Sequence, residues 1–397
     1  MKKKAALSAL VITAFGFFLP AWSSLDGAEA PRAPHEATAT AAEPVDHAPL
    51  GKKNLPGRVV LVVLDGVRWQ DVFLGVDPDL ARATMLPTKE VVPVEELVPN
   101  LHRLATADGA AFGGPGVGEA MFASGPNYVS QPGYIEIFSE RRPTECSSNV
   151  CPATAEPTLV DAIANATNGS VAVVSSWEVI GKTATASPDD LVMSAGQARG
   201  ENQSQLRVNA QAKRALEMGR IAAAWPGHGE YRPDRYTAEV ALAYLEARRP
   251  RFLFLGLGDT DEYAHMGDYR GYLRALHAAD ATIGQLLEAL DRMGDEGRHT
   301  TVLITTDHGR ERGFMSHGGF APESSRVWMI AGGNVRPQGL VALPAPAHLY
   351  DVGPTVRAVM GLPASEGEGR PLFGHDAPEP ASASLSPAAS PDHHPPE

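Results

Sequence analysis

Four short runs with almost no polar interruption constrain this chain more than anything else in it: Arg58 to Leu64 (RVVLVVL), Ser170 to Ser175 (SVAVVS), Phe252 to Leu257 (FLFLGL) and Thr301 to Thr305 (TVLIT). A strand with one face in water alternates apolar and polar residues. A strand covered on both faces reads as a continuous apolar run, which is the pattern of a parallel sheet between helices. Helical spacing fills the gaps, most plainly over Tyr272 to Met293, where Leu273, Leu276, Ile283, Leu286, Leu287 and Leu290 form one broad stripe. Tyr236 to Arg248 and Glu96 to Ala105 are shorter helical expectations. The fold class expected is therefore α/β, with a mostly parallel central sheet.

In such sheets the C-terminal strand tips are where loops can aim side chains into a crevice without disturbing the core. Three of the tips carry metal-ligand chemistry. The first run ends in Asp65-Gly66, the third in GDTDEYAHMGD, and the fourth in TDHGRERGFMSHGG. Asp261 and His265 are four residues apart, so one helical turn brings both to one face. Asp307 and His308 follow the fourth run, and His317 lies on the glycine-rich segment after them. Asp259 reads as a competing ligand or a loop cap. Each residue alone fits an ordinary turn or a solvated loop. Together, Asp65, Asp261, His265, Asp307, His308 and His317 exceed what one divalent ion needs, and without metal their charges would repel. Two ions about 3.5–4 Å apart would use them all, an arrangement suited to in-line displacement at phosphorus.

Such a site needs a nucleophile, and NYVSQPGYIEIF offers Ser130. Pro132 suits the first turn of a helix, which puts Ser130 at its N-terminus. That position fits a capping serine, and it equally fits a hydroxyl facing a bound anion. Arg310 and Arg312 read either as phosphate grips or as solvated or paired loop arginines, and Trp177 and Trp328 as core by default or as a substrate wall.

The chain has 397 residues with a net charge of −13, which argues against nucleic acid as a partner. Residues 1–23 read as a signal peptide: three lysines, then an apolar run too short and interrupted for a membrane span. No transmembrane segment is expected after its removal, and the location expected is periplasmic or secreted. Residues 24–55 and 376–397 are rich in Ala, Pro and Ser or Glu and read as a disordered linker and tail flanking a catalytic domain at 56–375. Cys146 and Cys151 are the only cysteines. In an exported protein the pair reads first as a disulfide clasping a loop, with two free thiols as the alternative.

LVVLDGVRWQDVF, VSQPGY, DEYAH, TTDHG, SHGG and LYDVGPTVRAVMGLP, in this order across Arg58 to Leu372, resemble the alkaline phosphatase superfamily. The closest resemblance is to its bacterial members near type I phosphodiesterase/nucleotide pyrophosphatase. The resemblance implies a three-layer α/β/α sandwich and two divalent ions, zinc first, with Mn²⁺ or Mg²⁺ as alternatives. It assigns Asp261, His265 and His317 to one ion, and Asp65, Asp307, His308 and the Ser130 oxygen to the other. Asn149 stands where related phosphodiesterases contact the transferred phosphoryl group. Two departures are plain. Sulfatases need Cys or Ser followed by x-Pro-x-Arg, whereas Ser130-Gln131-Pro132-Gly133 continues with Tyr134; and His317 lies only nine residues after His308, where nucleotide pyrophosphatases carry a long segment. The activity expected is hydrolysis of a small phosphate ester, monoester or diester, through phosphoserine. A mutase or phosphotransferase, and a non-catalytic metal-stabilised binding protein, are the alternatives.

Overall fold

The computed structural model describes residues 57–197, 201–319, 321–333 and 335–374. The expected leader, linker and tail lie outside them. Eleven strands are labelled in chain order: β1 Arg58–Leu64, β2 Gly109–Phe112, β3 Met121–Phe122, β4 Val171–Ser175, β5 Val192–Ala195, β6 Phe252–Leu257, β7 Thr300–Thr305, β8 Arg326–Val327, β9 Met329–Gly333, β10 Gly339–Val341 and β11 Ala347–His348. The four apolar runs become β1, β4, β6 and β7, all central in an eight-stranded sheet ordered β10-β2-β9-β7-β1-β6-β4-β5. From β7 to β5 every pairing is parallel, while β9 runs antiparallel to both β7 and β2. A second sheet has the order β11-β3-β8.

Two apolar cores, one on each face of the sheet, explain why β1 has no polar alternation. Val60, Val62 and Leu64 point into one core and Val59, Leu61 and Val63 into the other. Helices Ser130–Ser139 (α1), Leu159–Thr167 (α2), Asp234–Arg248 (α3), Asp259–His265 (α4), Tyr269–Arg292 (α5) and Val352–Met360 (α6) supply the outer layers. Val240 and Leu245 of α3 and Leu276, Ile283 and Leu286 of α5 fill the first core. Ile137 and Phe138 of α1, Val160 and Ile163 of α2 and Val356 of α6 fill the second. The three-layer α/β/α sandwich is present, with α5 carrying the expected leucine stripe.

The helix expected over Glu96 to Ala105 is broken. Val94–Leu97 and Pro99–Arg103 are separate short helices, followed by a π-turn over Leu104–Asp108. Pro99 has no N–H to continue the first helix, and it sits at the start of the second, where none is needed.

Candidate two-metal site

All six candidate ligands at the strand tips converge. Asp65 follows β1, Asp261 and His265 lie on α4 behind β6, and Asp307, His308 and His317 follow β7. They form two groups, Asp65/Asp307/His308 and Asp261/His265/His317, each with its ligand atoms within 4.8 Å of one another. In the second group His265 Nε2 is 3.0 Å from both Asp261 Oδ2 and His317 Nε2. In the first, His308 Nε2 lies 3.5 Å from Asp65 Oδ1 and 3.6 Å from Asp307 Oδ2. The His308 and His317 rings stack with centroids 3.9 Å apart, so the groups are adjacent.

Backbone contacts aim these side chains. His308 Nδ1 donates to the Gly309 carbonyl at 2.9 Å and His317 Nδ1 to the Tyr128 carbonyl at 2.9 Å, leaving both Nε2 lone pairs toward the crevice. Asp307 Oδ1 accepts from the Gly66 and His308 amides, both at 3.0 Å. Its other oxygen is buried without any hydrogen-bond partner. A solitary buried carboxylate oxygen is costly unless a cation faces it. Burial, then the charge of Asp261, pushes Asp65 up to about 7, and burial with Asp65 drives Asp307 well above the usual carboxylate range. Burial pushes His308 down to about 4 and, with help from His308, His317 down to about 3. Asp261 is buried too, yet the Arg310 guanidinium and then His265 hold its carboxyl well below the usual range. Two imidazoles held neutral, His308 and His317, beside the buried carboxyls of Asp65 and Asp307 form a donor set that fits divalent metal.

Ser130 is the first residue of α1, and Val129 is its N-cap, with no side-chain capping bond. The capping role for Ser130 is therefore not realised. Its hydroxyl instead lies 3.3 Å from Asp65 Oδ1 and 3.3 Å from His308 Nε2. A side chain at Gly133 would run into the Asp307 carbonyl oxygen, so this glycine lets the start of α1 approach the β7 tip. Asn149 is exposed, with Oδ1 accepting from the Gln131 amide at 2.9 Å. The Cys146–Cys151 disulfide is formed, and Gln131 exchanges hydrogen bonds with the Cys151 backbone at 3.0 and 3.2 Å. The loop carrying Asn149 is thereby tied to the start of α1. Asp259 binds no other site residue: Oδ1 accepts from Tyr231 at 2.7 Å and from the Asp234 amide.

One residue, Tyr134, escaped sequence reasoning, and Arg310 takes the paired role of the two it was given. Tyr134, whose ring belongs to the second core, donates to Asp65 Oδ2 at 3.3 Å. Arg310 is buried, ion-paired with Asp261, and anchored to the Phe314 and Met315 carbonyls at 2.6 and 2.9 Å. It steadies a ligand rather than reaching out for phosphate, whereas Arg312 is exposed and lies 3.6 Å from Glu323. Trp328 is core, with Nε1 donating to Val67.

Residues 231–363, which include α4 and the β7 tip, match the family model described as Metalloenzyme superfamily. A 2,3-bisphosphoglycerate-independent phosphoglycerate mutase of Gloeobacter violaceus is 29% identical over 163 residues, 36% of this chain and 28% of the mutase. The matched segment thus spans little more than a quarter of that relative. Among solved structures, a 2-O GAG sulfatase shares the fold at TM-score 0.50 and 15% identity, covering 80% of this chain and 73% of that one. A protein in the alkaline phosphatase superfamily from Vibrio parahaemolyticus aligns at TM-score 0.49 and 13% identity over 78% of this chain and 67% of its own. Among the described residues, no helix is long and apolar enough to cross a membrane.

Proposed function

We propose that this chain, which belongs to the alkaline phosphatase superfamily, is an exported hydrolase of phosphate monoesters or diesters acting through a phosphoserine at Ser130. The observation that carries this reading is the Ser130 hydroxyl, which caps nothing and lies 3.3 Å from two members, Asp65 and His308, of the Asp65/Asp307/His308 group. Asp65, Asp307 and His308 would hold one divalent ion and Asp261, His265 and His317 the other, zinc first. Bound there, the ions supply positive charge for the attacking and departing oxygens.

This chain's own residues do the rest. Asp65 accepts the Ser130 hydroxyl's hydrogen bond, and Tyr134 holds the other oxygen of Asp65 in place. The start of α1 presents backbone N–H groups and a positive dipole end to the phosphoryl group. Asn149 has its carbonyl oxygen engaged by Gln131, which leaves its amide N–H₂ to donate to phosphate oxygen. The Ser130 Oγ–phosphorus bond forms as the ester P–O bond breaks, and the leaving alcohol departs with a proton. Water then adds to phosphorus, the Oγ–P bond breaks, and Ser130 recovers its proton as phosphate leaves.

The mutase match favours a second reading, in which an acceptor hydroxyl replaces water and the phosphoryl group is transferred. With a monoester substrate, free phosphate released stoichiometrically with alcohol supports hydrolysis, and alcohol without free phosphate supports transfer; with a diester, the hydrolysis product to be counted is the phosphomonoester. Ser130→Ala should lose several orders of magnitude in turnover while Ser130→Thr keeps a substantial part, and acid quenching should trap phosphate on the Ser130 peptide. Near-normal hydrolysis by Ser130→Ala would end the covalent reading.

A further inference from the structure

Beside the metal site, and sharing Arg310 with it as a wall, opens a cleft of about 630 Å³. That volume suits a small organic ligand. Arg68, Trp69, Phe122, Arg312 and Arg326 line it as well, together with Asp77, Asp79 and Glu323. Its charges pair off with one exception. Asp77 accepts from Arg68 at 2.8 Å, Asp79 is bonded to Arg82, Glu323 faces Arg312, and Arg310 is held by Asp261. Arg326 has no carboxylate partner among the described residues. Its Nη2 donates to the Gly113 carbonyl at 2.7 Å, while its Nε is buried with no hydrogen-bond partner. The guanidinium carbon lies 5.5 Å from the Trp69 ring centre and 5.8 Å from that of Phe122, so two aromatic faces fix the plane of the fork. Arg68, also in the lining, is almost fully buried and held between two acids, Asp77 and Asp71, the latter 3.4 Å from its Nη1; its Nε lacks a hydrogen-bond partner.

Burial disfavours the Arg326 charge, and no acid offsets that cost. A fixed, planar guanidinium with open donors matches a carboxylate or phosphate, which it can grip through two parallel bonds. We propose that this cleft is an anion-binding site, separate from the two metal-ligand groups, in which Arg326 takes a carboxylate or phosphate group. That anion is either part of the substrate's leaving group, an arm that rests on the phosphate-ester reading above, or a separate small anion.

One comparison distinguishes these. 4-Carboxyphenyl phosphate and its methyl ester differ in the anionic group while the leaving phenols stay alike. Their kcat/KM values would be measured on metal-loaded wild type and Arg326→Gln, alongside calorimetric binding of 4-hydroxybenzoate and its methyl ester. The expected result is a preference of about tenfold or more for the carboxylated ester in wild type, lost in Arg326→Gln, with 4-hydroxybenzoate binding lost in parallel. Methyl-ester turnover and melting temperature should stay unchanged in the variant. Arg326-dependent binding with equal turnover of both esters assigns the site to a separate anion and also supports it. Arg326-dependent binding with neither ester cleaved supports the cleft and counts against the proposed hydrolase. No binding and no preference in wild type overturns the proposal, however the variant folds.

Discussion

Gly66→Ala is the sharpest single test of how the site is held together. Gly66 follows Asp65 at a backbone φ of +63°, and its amide donates to Asp307. Forcing alanine into that left-handed conformation costs about 1–2 kcal/mol by itself. A methyl group there would also overlap Asp261 Oδ1 and stand 2.8 Å from Arg310 Nη1, against the 3.4 Å where ordinary contact begins. The guanidinium must withdraw by about 0.6 Å, and the carboxylate oxygen, which is closer still, by about 1 Å. Neither can do so freely, because Arg310 is anchored by two carbonyls. Misplacement of a ligand on that scale should lower turnover by roughly tenfold to a hundredfold. Gly294→Ala is the control: φ is +68° and nothing lies within 4 Å of its added Cβ. It should show the backbone cost in urea unfolding and no change in turnover or metal content. Gly66→Ala should show the same cost and more, with weakened retention of one ion on dialysis. Wild-type kcat/KM and full metal content in Gly66→Ala would refute the reasoning.

Asp307→Ala should lower metal content by elemental analysis from two ions per chain to one and reduce thermal stability, since the remaining buried acids lose their cation; an unchanged count would contradict the ligand assignment. Glu136, buried on α1 beneath the Ser124 and Tyr350 amides, is pushed from 4.5 up to about 7 mainly by burial. A raised carboxyl contributes stability that is present below pH 4.5 and lost as pH climbs through 7, about 3 kcal/mol at 1.36 per unit. Glu136→Gln should flatten that part of the pH profile in urea melts, and an unchanged slope would reject the assignment. Reduction of Cys146–Cys151 should raise KM more than it lowers the melting temperature, because so short a loop constrains little of the unfolded chain while it carries Asn149. Equal KM before and after reduction would remove Asn149 from the substrate contacts.

Reading the chain in one dimension worked best where chemistry and position coincide. Asp65, Asp261, Asp307, His265, His308 and His317 each follow a buried strand closely, and a parallel sheet must gather its tips at one edge. The disulfide reading held for the same reason of proximity. What stayed hidden depends on a partner distant in sequence. Tyr134 looks like a core aromatic until α1 is seen lying across the end of β1. Arg310 looks like a loop arginine until its neighbour α4 brings up Asp261. The break at Pro99 was visible in the letters, but apolar spacing across it imitated one continuous helix.

The reversed direction of β9 has a consequence for how such a protein can change. Because β9 starts at the edge where β7 stops, the chain between them, residues 306–328, never has to travel to the far side of the sheet. Asp307, His308, His317, the Arg310 clamp and the Arg326 of the neighbouring cleft are all carried on this one segment. Three of the six candidate metal ligands and the arginine of the proposed anion cleft thus sit on one connection between β7 and β9. Lengthening or exchanging that connection would reshape both sites at once and leave the order of the parallel strands untouched.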